Sequence, residues 1–202
     1  MHHRALAAAV LTILLPAAAL GGSPPTGTIA CAIVSEHSQT HPSGLLFHPY
    51  INAVSRMITV KAKNVDSVSC DATNVTGGKF PITAVRFDLS AKFPDGNCAA
   101  FTSAPALERG QIKVRWLGPN SQDLLRTVAT SKATIATATY DSGSHALILT
   151  TAPLDGAFAG TTATLHLGFD DYIAGVEAGC SETGGLLGLA FGDPNPSSID
   201  VQ

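Results

Sequence analysis

Five histidines follow residue 21 of this chain: His37, His41, His48, His145 and His166. Imidazole is the side chain best suited to hold a metal or move a proton near neutral pH. His37, His41 and His48 stand at H-x3-H-x6-H spacing beside Glu36. A zinc site would need three or four such ligands converging at about 2.0–2.2 Å. On a helix His37 and His41 would share a face, but SEHSQTHPSG has the composition of a loop. Zinc ligands are normally paired more tightly in sequence, so the segment reads as an exposed polar loop and no metal or other cofactor is expected.

His145 follows the turn Ser142-Gly143-Ser144, and His166 lies close in sequence to Asp170 and Asp171. A Ser-His-Asp hydrolase needs its nucleophile on a strained G-x-S-x-G elbow, and Gly143-Ser144-His145 lacks that frame. Two carboxylates about 5–10 Å apart would serve glycoside hydrolysis. The candidates are Asp66, Asp71, Asp88, Asp95, Glu108, Asp123, Asp141, Asp155, Asp170 and Asp171. Most fall at turns, where Asp accepts from backbone N–H groups, and no pair stands out. No catalytic residue is assigned.

Cys31, Cys70, Cys98 and Cys180 are even in number, widely spaced and free of any CxxC pair. That argues against a zinc knuckle or a redox motif. Two disulfides are the default in an oxidising compartment. Three pairings are open and spacing does not decide among them. The favoured one joins Cys31 to Cys70, across two early strands, and Cys98 to Cys180, from a mid-chain loop to the segment before the last strands.

The compartment is suggested by the first residues, MHHRALAAAVLTILLPAAALGGSPP. A short n-region with Arg4, an uncharged apolar run from Ala5 to Leu15, then Pro16 and small residues make the three-part pattern of a secretory signal peptide. The run is short for a transmembrane helix, and no later run reaches spanning length. Cleavage is expected after Ala19 or Gly21, leaving residues 22–202 as one secreted, extracellular domain. The chain has 12 Lys+Arg against 15 Asp+Glu, a formal charge of -3. Its basic residues are scattered along the sequence, which speaks against a nucleic-acid partner and a polybasic membrane anchor.

The elements that would position these residues read as strands. Val85, Phe87 and Leu89 alternate with Arg86 and Asp88; Ile112, Val114 and Trp116 with Lys113 and Arg115; Ala163, Leu165, Leu167 and Phe169 with Thr162, Thr164 and His166. Period-two alternation marks half-buried strands, and it places Trp116 in the core. Weaker candidates are Thr28–Val34, Leu45–Tyr50, Met57–Asn64, Val68–Ala72, Ala133–Tyr140, Ala146–Thr151, Leu186–Phe191 and Ser198–Val201. Turns are expected at Gly77-Gly78, at Pro94-Asp95-Gly96-Asn97 and at Asp141–Ser144, the last closing a hairpin. Asp170-Asp171 followed by YIAGVEAGC suggests one short helix. The fold class is all-β: an antiparallel β-sandwich (immunoglobulin-like) or a closed barrel with one short helix.

The landmarks GTIAC, LLFHPY, SVSCDATNVTGGK, GNCAAF, GQIKVRWLG, GAFAGTTATLHL and AGCSETGGLLGLAFG occur in that order. The order resembles a family of small secreted four-cysteine, Gly/Thr-rich hypothetical proteins of high-GC Gram-positive bacteria. The shared features are an F-x-P step at Phe47-His48-Pro49, the turn Gly77-Gly78-Lys79, a tryptophan strand from Lys113 to Trp116, and the turn from Gly156 to Gly160. The resemblance spans nearly all of residues 22–202. It implies secretion and a sandwich-like fold, and it transfers no catalytic residue.

The expected function is a secreted, non-catalytic structural or binding module. Its partner would be an extracellular protein, a glycan or an envelope component. The alternatives are a carrier of a small apolar ligand or metal, with a cavity lined by residues such as Leu165 and Phe169, and an extracellular hydrolase. The polar segments His37–Gly44, Pro94–Cys98 and Asp155–Gly160 are the expected contact loops.

Overall fold

The structure, a computed structural model, describes residues 22–33, 44–103, 105–119, 122, 124–168, 180, 185–190 and 197–202. The leader, the segment with Glu36, His37 and His41, the residues Asp123, Phe169, Asp170 and Asp171, and the helix expected after them up to Gly179 lie outside the described residues.

Among the described residues the chain forms β1 (Thr26–Gly27), β2 (Ile29–Ile33), β3 (Gly44–Ile51), β4 (Arg56–Asp71), β5 (Val75–Thr76), β6 (Ala84–Gly96), α1 (Cys98–Phe101), β7 (Arg109–Pro119), β8 (Leu125–Asp141), β9 (Ala146–Thr151), β10 (Asp155–Gly156), β11 (Ala163–Gly168), β12 (Leu186–Ala190) and β13 (Ser197–Val201). Every described pairing is antiparallel, and the fold is all-β, as the alternation predicts. The ladder runs β2-β13-β11-β9-β8-β7-β6-β4 and returns to β2, so the sheet curls back on itself. Strand β3, with β12 beyond it, adds to the free side of β4.

Two long strands make the corners. The first part of β4 pairs with β6, and the part from Ser67 to Asp71 pairs with β2. In the same way β8 pairs first with β7 and, from Ile135, with β9. The register shifts near each changeover, between Ala62 and Val65 and between Ile135 and Thr137. An extra residue bends and twists a strand, which lets one strand serve two sheets. Met57–Asn64 and Val68–Ala72, expected as two strands, are therefore one.

The expected turn at Pro94–Asn97 is also different. Strand β6 continues through Pro94 to Gly96, which pairs with Arg56 beside a register shift. Proline is tolerated where the ladder is irregular. A Cβ on Gly96 would collide with Ile58, so a bare backbone is required there. Asn97 then caps α1, its Oδ1 accepting from the Ala100 N–H at 2.8 Å. This single helical turn carries Phe101 into a cluster with Phe47 and Phe93, at ring distances of 5.2 and 5.1 Å. Within Pro94–Cys98 only Asp95 is fully exposed.

Trp116 is completely buried, as its alternation with Ile112 and Val114 predicts. Its ring meets Phe158 edge-on at 4.8 Å. Its Nε1–H donates to Ser131 Oγ at 2.8 Å, and that hydroxyl donates to the Ala157 carbonyl at 2.6 Å. In the Asp155–Gly160 segment Asp155, Gly156, Ala159 and Gly160 are exposed, as expected of a contact loop, while Ala157 and Phe158 plug the core, Phe158 at a φ of 57°.

Both disulfides form the favoured pairs. Cys31 and Cys70 are ladder partners on β2 and β4 with Cα atoms 4.0 Å apart. Cys98, at the start of α1, is bonded to Cys180 with Cα atoms 6.3 Å apart. Among the described residues no helix is long and apolar enough to cross a membrane.

Candidate anion-binding face

Strands β4, β6, β7 and β8 turn their apolar residues inward: Val60 and Ala62, Phe87 and Leu89, Ile112 and Val114, Ile135. Alternation sends the intervening residues to the outer face. There the register sets Lys92 opposite Arg109, Arg86 opposite Arg115, and Lys113 opposite Lys132. Lys61 and Lys63 extend the same face along β4. These eight are two thirds of the 12 Lys+Arg in the chain; the others are Arg4, Arg56, Lys79 and Arg126.

Three carboxylates accompany them among the described side chains. Asp88 makes an ion pair with Arg115, both side chains about one quarter exposed (29% and 25%). Glu108 lies 4.0 Å from Arg109, and Asp155 is paired with Lys132 in the ladder. Counted over these described side chains, eight cations against three carboxylates, the face keeps a formal excess of five positive charges in a chain whose total is -3. Between the Lys92–Arg109 row and the Asp88–Lys113–Lys132 row lie the uncharged Ser90, Gln111 and Thr134, with Lys61 opposite Ser90 on β4. An open groove of about 1000 Å³ lies over the Ser90–Gln111–Thr134 and Asp88–Lys113–Lys132 rows, reaching from Lys61 and Lys63 to Asp155, with Arg86, Lys92 and Arg109 outside its lining.

The other sheet is opposite in character. Strands β2, β9, β11 and β13, with the paired ends of β4 and β8, contain no Lys or Arg. Their outer side carries Asp71, Asp141 and Asp200 among Thr, Ser and Ala. Asp71 and Asp141 cap turns, accepting from the Thr73 and Gly143 N–H groups at 3.0 and 3.1 Å.

Asp141, Ser144 and His145 lie together at the β8–β9 hairpin and arrange differently from a triad. The Ser144 hydroxyl donates to Asp141 Oδ2 at 2.5 Å. His145 sets Nδ1 3.2 Å from the Tyr140 hydroxyl. His166 stands on β11 between Ile148 and Ser198 in the ladder. His48 is exposed on β3, and Leu165 is packed in the core. Among the described residues no three His, Cys, Asp or Glu side chains converge on a metal-sized site.

The Ser144 hydroxyl and then the Gly143 N–H hold the Asp141 carboxyl below the usual aspartate range. A depressed folded-state value means that the turn's contribution is complete above the unfolded value and is lost as pH falls through the folded one. Ser144→Ala is expected to raise the Asp141 midpoint in an NMR pH titration, so that the turn is lost at a higher pH. An unmoved midpoint would show that the hydroxyl contributes nothing.

The sequence marked Arg86, Asp88, Lys113 and Arg115 only as polar positions of separate strands. Their union into one cationic surface went unseen because it depends on register. The available signal was that Lys61 and Lys63, and Arg109, Lys113 and Arg115, keep the same parity along their strands.

Fold and face together define a class: an all-β, disulfide-braced domain whose two sheets share their corner strands and whose charges are segregated onto different sides. Comparison of the chain with protein-family models, with curated proteins and with solved structures finds no match.

Proposed function

We propose that this chain is a secreted, non-catalytic binding module whose cationic sheet face is the contact surface for an anionic extracellular or envelope partner. The gathering of eight of the twelve cations on one face carries the reading. A surface of one sign attracts an opposite polymer by releasing its counterions, whatever the net charge of the protein. The scattered basic residues of the linear sequence thus become a single potential in the fold. Export is supported by the leader pattern and by four cysteines joined in two bridges. A non-catalytic role is supported by Ser144 being engaged with Asp141, and Asp88 with Arg115, in contacts that hold a turn and a sheet.

The disulfide-intact chain is expected to cosediment with envelope fragments of the producing cells, and to be released between about 50 and 200 mM salt. Lys113→Glu combined with Lys132→Glu should abolish sedimentation. Sedimentation unaffected by that double reversal would overturn the reading. So would turnover of a hydrolase substrate that a single acidic or His substitution removes without unfolding the protein.

A further inference from the structure

We infer that the occupant of the cationic face is a linear acidic polysaccharide lying along β6 and β7; this rests on the reading of that face as the contact surface. Along these strands a ligand meets Lys92 and Arg109, then Ser90 and Gln111, then Asp88 and Lys113, then Arg86 and Arg115. Residues two apart on a strand are about 7 Å apart, so these four rows span about 20 Å. A polymer that carries acidic groups among hydroxyls suits cations set beside uncharged polar side chains. The Gln111 amide and the Ser90 and Thr134 hydroxyls offer both donors and acceptors, which suits sugar hydroxyls and leaves the charges to carboxylate or sulfate groups.

Lys113 and Lys132 are opposed directly in the ladder, and so are Lys92 and Arg109. Like charges so placed repel each other in the free protein, and a bound polyanion relieves that repulsion. Asp88 and Asp155 close the Lys113–Lys132 row at its two ends. Within that row the anion contact is thereby confined to the two lysines.

Two other classes of partner fit less well. Single-stranded nucleic acid is held by bases stacked on aromatic rings, and the described outward side chains of β4, β6, β7 and β8 along this groove include no aromatic. Protein interfaces have cores depleted of lysine, whereas five of the eight cations here are lysines.

The test titrates the disulfide-intact chain with chondroitin sulfate, polygalacturonate, neutral dextran and a single-stranded oligothymidylate of matched charge. At least one acidic polysaccharide is expected to bind and dextran to be inert. Sulfate against carboxylate preference is read from the first two. The oligonucleotide should bind at least about tenfold more weakly, lacking a stacking platform. Lys113→Glu with Lys132→Glu should weaken polysaccharide binding by about tenfold or more and flatten its salt dependence. Gln111→Ala should weaken it a few-fold with the salt dependence unchanged. All three positions point outward, and unchanged Trp116 emission checks that the variants are folded. An oligonucleotide that binds as tightly as the polysaccharides, or a Gln111→Ala variant that binds normally, overturns the inference. If no acidic polysaccharide binds while the double reversal still abolishes envelope cosedimentation, the polysaccharide fails and the contact face stands. If the reversal leaves cosedimentation unchanged, both fall.

Discussion

Trp116→Ala is expected to destabilise the protein by about 3–5 kcal/mol, the usual cost of emptying a large aromatic site in a packed core. Three losses combine at this position. The indole is fully buried, so its removal leaves a void that surrounding strands cannot easily fill. Its edge-on contact with Phe158 disappears, and Phe158 is held in a left-handed conformation by the same packing. The donor to Ser131 is lost as well, and Ser131 anchors the Ala157 carbonyl of the plug. Trp116→Phe keeps most of the volume and removes the hydrogen bond, so it should cost clearly less. Urea unfolding followed by circular dichroism measures both variants. A loss under about 1 kcal/mol for the alanine variant would mean that the plug does not depend on the indole. Native emission should be blue-shifted and shielded from quenchers; red-shifted, freely quenched emission would contradict the burial.

Removing either disulfide should cost about 4 kcal/mol. Cys31–Cys70 spans 39 residues and Cys98–Cys180 spans 82. Chain-entropy arguments give about 4 and about 4.5 kcal/mol for loops of these lengths. A domain of this kind has about 5–15 kcal/mol in total, so losing both bridges, about 8.5 kcal/mol together, should remove more than half of its stability. Cys31 is also buried between Ile29 and Ile33 on the inner side of β2, so Cys31→Ala with Cys70→Ala leaves a small void in addition. The readouts are urea midpoints of the two paired-alanine variants, and a thiol titration of the native chain under denaturing, non-reducing conditions. Two or more free thiols would contradict the pairing, and an unchanged midpoint would show that a bridge adds nothing to stability.

Much of the fold could be read along the chain. Strands β6, β7 and β11 alternate so cleanly that residues such as Phe87, Trp116 and Leu165 could be placed inside before any partner strand was known. Asp141–Ser144 announced its hairpin because Asx and glycine turns are set by local hydrogen bonds and permitted φ values. The continuity of β4 was hidden by its bulge between Ala62 and Val65, where the alternation breaks phase. The plug was hidden for another reason: GAFAG has neither strand nor helix period, and Phe158 is buried by the position of its turn over Trp116. Pro94 misled in the same manner, since a turn residue was read where an irregular ladder accepts it.

Local periodicity decides which side of each strand is apolar, because successive side chains point to opposite faces whatever lies next to them. The all-β class, the core position of Trp116 and the supply of four cysteines for two bridges follow from that and from composition. Which strand lies beside which is a property of contacts between distant residues. The curl of the sheet through β4 and β8 and the approach of Phe158 to Trp116 belong to that second level. So does the cationic face. Lys61, Arg86, Lys113 and Lys132 are far apart along the chain, and only the ladder register gathers their charges onto one face about 20 Å across, where their Coulomb fields add.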